Sequence, residues 1–129
     1  MTHEPLRFRA RTQTGLSQGR TLGFPTVNFV LEDVPKALAE GIYACRVTVA
    51  GMQYGGALHF GPRPAVHAGP SCEIHLLDVV LPSLPPQADV EIVAKIREVQ
   101  DFPTPADLAA RIGEDVRVTR EILARRSEN

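Results

Sequence analysis

Apolar and polar residues alternate with a period of two through the first two thirds of the chain, which is typical of β-strands. The clearest example is 41–51, whose apolar face is formed by Tyr43, Cys45, Val47 and Val49. Because 52–60 follows directly after Gly51, we expect it to form a hairpin with this strand. The remaining predicted strands, four in number, are 7–13, 26–31, 71–81 and 88–98.

The last quarter of the chain changes to a helical pattern. Thr104 is a good N-cap, Pro105 suits the first helical position, and Asp107 completes a capping-box pattern. Apolar residues then recur at helical spacing, at Leu108, Ile112, Val116, Ile122 and Leu123. Gly113 is a candidate break between two helices.

The order of these elements predicts a mainly β fold. Strands followed by a terminal helix, without alternation, exclude a parallel βαβ architecture. Six short strands in an open sheet would leave two exposed edges, whereas a closed barrel leaves none. We therefore expect one domain over 1–129, a six-stranded closed antiparallel barrel of Greek-key type with a C-terminal helical element packed on it.

Composition narrows the classes of function. The 129 residues are 43% hydrophobic and 22% charged, and the net charge of −1 argues against a nucleic-acid partner. No apolar run approaches the ~20 residues that span a bilayer, and the N-terminus lacks a signal-peptide core. We expect a cytoplasmic protein without a membrane partner. Cys45 and Cys72 lie in apolar stretches, which favours free buried thiols but leaves a disulfide open.

A glycine-rich segment joins the first two predicted strands. Gly15, Gly19 and Gly23 lie four residues apart, so backbone N–H groups there can approach an anion closely, and Arg20 adds a positive charge. No Gly-Lys-Ser/Thr follows and no helix is predicted, so this is not a Walker A loop. The segment predicts a polyphosphate site, and the alternative is a plain strand connection.

Thr26 and Asn28 lie two residues apart on the strand that follows, so their side chains point the same way. Both offer neutral oxygens, which suit an Mg²⁺ ion that phosphates and water also coordinate. In the alternative interpretation, these two side chains only close a turn.

The segment "GRTLGFPTVNF" resembles the signature of riboflavin kinases, with Val27 in place of the usual alanine. The resemblance continues in order along the chain. Segments similar to the family's are "ALAEGIYACRVTV", "LHFGPRPAV", "CEIHLLDV", "KIREVQDF" and "LAARIGEDVRVTRE". Five further matches in the family's order are much more specific than one motif.

The resemblance implies a six-stranded antiparallel barrel that transfers the γ-phosphoryl group of ATP to the 5′-hydroxyl of riboflavin, producing FMN. Riboflavin, FMN, ATP and ADP are then the expected partners, with Mg²⁺ as the metal, and we expect a monomer. In bacteria this module usually follows an FMN adenylyltransferase domain. We expect this chain to lack that domain and not to make FAD.

The resemblance also implies a role for individual residues. The phosphate loop corresponds to Gly15, Gly19, Arg20 and Gly23. Thr26 and Asn28 correspond to the pair that holds Mg²⁺ and the nucleotide phosphates. Glu73 corresponds to the catalytic base, and Arg97 to an arginine near the flavin in a flap, here residues 97–104.

Elementary chemistry agrees with a base at Glu73. A primary alcohol is a poor nucleophile, so a carboxylate within reach of its proton assists the transfer. The alternative is an exposed charge on an edge strand. His75 shares a face with Glu73, but two residues are too few for a metal site, which favours a structural histidine.

Several positions depart from the family pattern. They include Leu16 to Gln18 in the loop, His59 for asparagine, Ala65 for threonine, and Val99 and Asp101 in the flap. These departures concern substrate affinity and flavin geometry more than the transfer step. The alternative function is a non-catalytic relative that binds a flavin or nucleotide or serves as an interaction module.

Overall fold

The computed structural model describes residues 5–14, 26–62 and 70–127. Within these residues the chain forms six strands, one short 3₁₀ turn at Leu31–Asp33 and one α-helix. The strands are β1 (Arg7–Gln13), β2 (Thr26–Phe29), β3 (Gly41–Val49), β4 (Met52–Pro62), β5 (Pro70–Leu76) and β6 (Gln87–Arg97). The helix is α1 (Pro105–Ser127).

The strands close into a barrel in the order β1-β2-β5-β4-β3-β6, with β6 returning to β1. All neighbouring strands are antiparallel. The pairing of β2 with β5 rather than β3 gives the Greek-key connection. The predicted fold class is therefore confirmed, and every strand is paired on both sides.

The barrel interior is filled by apolar side chains at alternate strand positions. The largest fully buried ones are Phe29, Val47, Leu58, Ile74 and Val90. Burial of one side chain of this kind contributes roughly 1.5–3 kcal/mol. Since successive side chains of a strand point to opposite faces, the residues between these core positions lie on the outer face of the barrel.

Both cysteines belong to this interior. Cys45 and Cys72 are free thiols and almost wholly buried. The favoured expectation is confirmed, and no disulfide joins them. Burial raises the pKa of the Cys72 thiol to about 12 and raises that of Cys45 well above its ordinary value.

The predicted hairpin joins β3 and β4 through a two-residue turn between Val49 and Met52. Ala50 and Gly51 both have positive φ, at 49° and 81°. Two consecutive positive φ values match a type I′ turn, whose twist suits a hairpin. Glycine adopts this conformation readily, whereas alanine is strained in it.

β5 ends at Leu76, five residues earlier than the apolar pattern of 71–81 predicts. The reason is a turn at Asp78, whose φ of 62° is incompatible with a strand. The Asp78 carboxylate accepts a hydrogen bond of 2.6 Å from Arg120 Nη1 on α1, which lowers the pKa of Asp78. The apolar residues after this turn line a surface cavity instead of continuing the strand.

The start of α1 follows the predicted cap. Thr104 Oγ1 accepts a hydrogen bond of 3.1 Å from the Asp107 backbone N–H and donates one of 2.8 Å to the Asp107 carboxylate. The expected break at Gly113 is wrong, because α1 runs unbroken to Ser127. A glycine inside a helix costs only about 1 kcal/mol, and packing of α1 on the barrel offsets it. This helix is not apolar enough to cross a membrane.

α1 lies against β3, β4 and β6. It covers the outer face of β3, where Ile42 and Ala44 alternate with core positions and are nevertheless buried. Gly55 of β4 allows the close approach, since a Cβ there would lie 2.7 Å from Leu123 Cδ1. The main contacts of the helix thus lie on one side of the barrel, and the outer faces of β2 and β5 remain available for binding a ligand.

Replacing Ala50 by asparagine should stabilise the domain, because asparagine tolerates the left-handed region better than alanine. We expect a gain of about 0.5–1 kcal/mol, measured as a rise of a few degrees in the melting temperature. Gly51→Ala is the matched contrast: a Cβ at Gly51 meets nothing within 4 Å, so any loss reflects backbone strain alone. A lower melting temperature for Ala50→Asn would contradict the type I′ assignment.

The buried thiols should be inert in the native protein. At pH 8 both are protonated, because burial holds the pKa of Cys72 near 12 and that of Cys45 well above its ordinary value. We expect no reaction with a thiol-specific chromogenic disulfide until denaturant is added, and then two thiols per chain. Rapid reaction of either thiol in the native state would contradict the burial described.

Candidate functional site

The outer faces of β2, β5 and β4 bring the predicted site residues into one row. Asn28 of β2 lies directly opposite Glu73 of β5, and Glu73 lies directly opposite His59 of β4. Directly opposed residues have Cβ atoms about 4.5–5.5 Å apart and point to the same face. Thr26 lies on β2 two residues before Asn28, and it is directly opposite His75 of β5. The predicted sharing of a face by Thr26 and Asn28 is confirmed.

Asn28 has the features of a ligand residue. Its side chain is buried, and Oδ1 is closed off from solvent without a hydrogen-bond partner among the described residues. Leaving a buried carbonyl oxygen unsatisfied costs about 1–3 kcal/mol, which a bound cation would offset. Thr26 adds a second neutral oxygen on the same face.

These oxygens fit a hard cation such as Mg²⁺ that takes its remaining ligands from phosphates and water. The described residues contain no group of three or more His, Cys, Asp or Glu side chains placed to hold a metal. The proposed metal site therefore depends on neutral oxygens rather than on a cluster of such side chains. His75, half-buried opposite Thr26, belongs to no such group.

Glu73 lies on a central strand, not an edge. β5 pairs with β2 on one side and with β4 on the other, so the alternative of an exposed edge-strand charge is wrong. The side chain is half-buried, and its Oε2 atom is closed off from solvent. A carboxylate in this position can accept a proton from a ligand that approaches the outer face.

An apolar cavity of about 250 Å³ lies beside Thr26. Its wall is the connection between β5 and β6, whose lining residues include Val79, Val80, Leu81 and Leu84. Val80 and Leu84 are 74% and 48% exposed, although both are large apolar residues. An exposed apolar patch beside polar groups is a common feature of binding sites.

A larger cavity of about 550 Å³ lies on the other side of the barrel. Its charged lining is paired: Arg7 lies 3.0 Å and Arg46 3.6 Å from Glu91 carboxylate oxygens, and Arg9 lies 2.8 Å from Asp89. Each cation already faces a carboxylate, so this groove is a poor site for an anionic substrate.

Arg97 ends β6 and continues the row of outer-face residues. His59 lies opposite Ile42 of β3, and Ile42 lies opposite Arg97. With strands about 4.8 Å apart, Arg97 lies three strands, or about 14 Å, from Glu73 along the sheet. Its guanidinium contacts Asp115 of α1. A role for Arg97 beside the flavin stays a prediction.

The predicted phosphate loop lies outside the described residues. This applies to Gly15, Gly19, Arg20 and Gly23, so their roles stay predictions. The departures at Leu16 to Gln18 and at Ala65 also lie outside the described residues. The roles assigned to Thr26, Asn28 and Glu73 rest on the geometry above and stay predictions too.

A sequence profile of the Flavokinase family, described as riboflavin kinase, matches residues 2–123. The chain belongs to the riboflavin kinase family. The family match covers all of the described strands and most of α1, so the row on β2, β5 and β4 is part of a riboflavin kinase fold.

Individual proteins agree with this membership. The bifunctional riboflavin kinase/FMN adenylyltransferase of Escherichia coli K12 is 35% identical over 92% of this chain, which spans 38% of that protein. A solved structure from Streptococcus pneumoniae, described as a macrolide-efflux protein, has a TM-score of 0.77 at 26% identity, over 90% of this chain and 38% of that one. Riboflavin kinase from Trypanosoma brucei shares the fold, with a TM-score of 0.61 at 20% identity, over 96% of this chain and 83% of that one.

Sequence reasoning missed two parts of this riboflavin kinase domain. One is the apolar cavity, because the apolar pattern of 71–81 predicts one long strand. In the structure, the turn at Asp78 separates the lining residues from β5. The other is Asp115, which falls at the apolar spacing of the helix after Leu108 and Ile112. A carboxylate at a core-facing helix position is a signal for a buried partner.

Replacing Asn28 by alanine should weaken binding of MgADP while the barrel stays folded, because the variant lacks one of the two oxygens proposed for Mg²⁺. The measurement is calorimetric titration with MgADP. Mg²⁺ alone should bind weakly to the parent protein, since phosphates complete the coordination. Unchanged MgADP affinity in a folded variant would argue against this metal site.

Ser71→Ala is the matched control for this experiment. Ser71 lies on the outer face of β5, two residues from Glu73, and its hydroxyl is likewise buried without a partner among the described residues. Its loss removes a buried polar atom without touching the proposed ligands, so MgADP affinity should stay near that of the parent.

Proposed function

We propose that this domain transfers the γ-phosphoryl group of MgATP to the 5′-hydroxyl of riboflavin, producing FMN and ADP. One observation carries the proposal: the outer-face row runs Asn28, Glu73, His59, Ile42, Arg97. Glu73 thus lies between the residues predicted for the nucleotide and the residue predicted for the flavin. A base for this reaction must stand between the phosphoryl donor and the acceptor alcohol.

On the nucleotide side, Thr26 and Asn28 would hold Mg²⁺, which neutralises phosphate charge when bound. The apolar cavity beside Thr26 suits the flat face of a nucleotide base. The glycine-rich loop supplies the remaining phosphate contacts in this proposal, with Arg20 adding a positive charge. The donor would therefore extend from the cavity towards Asn28.

On the acceptor side, Glu73 accepts the proton of the riboflavin 5′-hydroxyl. The 5′-oxygen forms a bond to the γ-phosphorus, and the bond from that phosphorus to the β–γ bridging oxygen breaks. The electron pair of the broken bond leaves with ADP. The partial burial of Glu73 reduces competition from water at the carboxylate.

A second candidate is a domain that binds flavin or nucleotide without turnover. It is favoured by the altered flap, in which Val99 and Asp101 stand where the family has other residues. In either case we expect a cytoplasmic monomer. Incubating the purified chain with riboflavin and MgATP, followed by chromatography, separates the two candidates, because only the enzyme forms FMN.

Glu73→Gln should reduce turnover by ~10²- to 10⁴-fold, since glutamine keeps the shape of the side chain but cannot accept the proton. Affinity for riboflavin and for MgATP should change much less, because the base acts mainly in the transition state. Turnover and both affinities are measured together with a thermal melt.

Glu91→Gln provides the matched control. Glu91 is also a strand carboxylate on the outer face, but it lies on β6, where it pairs with Arg7 and Arg46. This variant should turn over at nearly the parent rate. Near-normal turnover in a well-folded Glu73→Gln would remove the base assignment and favour the binding module.

A further inference from the structure

A buried ion pair joins the end of β6 to the middle of α1. Arg97 donates from Nε and Nη2 to the two carboxylate oxygens of Asp115, at 2.9 and 2.7 Å. The two side chains are only 11% and 6% exposed. Two parallel hydrogen bonds fix the plane of the guanidinium as well as its position.

Arg97 also organises the flap of residues 97–104. Its Nη1 donates a hydrogen bond of 3.0 Å to the Glu98 carbonyl oxygen, and its Cζ lies 5.6 Å from the centre of the Phe102 ring. The flap therefore packs around a guanidinium whose orientation Asp115 sets. Val99 of the flap lies close to Gly61 of β4, since a Cβ there would lie only 3.0 Å from Val99 Cγ2.

Arg97 keeps capacity for a ligand. A guanidinium carries five N–H donors, and the contacts to Asp115 and Glu98 use three of them. The remaining donors suit carbonyl oxygens of a planar ring system, and the guanidinium plane suits stacking on such a ring.

The carboxylate at Asp115 is hard to replace. Arg111 Nε lies 3.7 Å from Asp115 Oδ1, so this one carboxylate faces two arginines. Removing its charge would leave the nearly buried Arg97 without its counter-charge, which is strongly unfavourable. Arg97 would then leave its present position, and the flap would lose its support.

Anchoring of the helix alone does not account for this arrangement. A second ion pair, Arg120 to Asp78, already joins α1 to the barrel, and the apolar side of the helix packs on β3 and β4. Of these two pairs, the one between Arg97 and Asp115 includes a residue of the row that contains Glu73, and it lies at the start of the flap.

We propose that Asp115 is a positioning residue for riboflavin: it holds Arg97, and through it the flap, in the conformation that receives the flavin ring. This inference rests on the proposed function, in which the flavin lies on the Arg97 side of Glu73. Asp115 then determines riboflavin affinity without touching riboflavin, and it has little influence on the nucleotide side.

The test compares Asp115→Asn with Asp78→Asn by flavin fluorescence on binding, MgADP calorimetry and thermal melts. We expect Asp115→Asn to weaken riboflavin binding about 10- to 100-fold, as misplaced binding groups do, with far less change for MgADP. Asp78→Asn removes the other ion pair of the helix without backbone strain, because asparagine also tolerates positive φ. It should leave riboflavin affinity unchanged.

Equal effects of Asp115→Asn on both ligands, or none on riboflavin, would overturn the proposal. If Asp115→Asn does not fold, the variant Arg97→Lys provides the test instead. Lysine keeps a positive charge for Asp115 but lacks the planar guanidinium and its two parallel N–H donors, so riboflavin binding should weaken. Normal riboflavin binding by this variant would also overturn the proposal. Because these readouts are binding, a parent chain that binds riboflavin without making FMN would refute the proposed function alone.

Discussion

The pairing of β5 with β2 and β4 is the constraint on which the site depends. Cys72, Ile74 and Leu76 of β5 face the core, so Glu73 between them must face outwards. A slip of one residue in this pairing would turn Glu73 into the apolar interior and expose Ile74, which the core strongly disfavours. Packing of the interior therefore fixes the chemistry of the outer surface, because the same alternation serves both.

The strands were predictable because one face of each is buried. β1 has the predicted bounds, and β3 and β6 begin or end within two residues of them. Predictions failed where a single backbone conformation or a long-range contact decides the outcome. The turn at Asp78 depends on a left-handed φ, and the continuity of α1 at Gly113 depends on packing that local propensity does not contain.

For the candidate site, sequence periodicity predicts the shared face of Thr26 and Asn28, and the family resemblance points to Glu73. Neither predicts that these residues meet in one row, because the Greek-key pairing of β2 with β5 joins segments about 45 positions apart. The sequence does not predict the ion-pair partner of Arg97 either. Only the packing of α1 on the barrel brings Asp115 to the end of β6.

The position of α1 on one side of the barrel has a consequence for local unfolding. Detachment of this helix would separate Asp115 from Arg97 while the six strands stay paired, so the flap would lose order without loss of the barrel. Such partial opening lies below global unfolding in free energy. A ligand that binds only the closed flap would then slow hydrogen exchange in α1, a segment it does not contact.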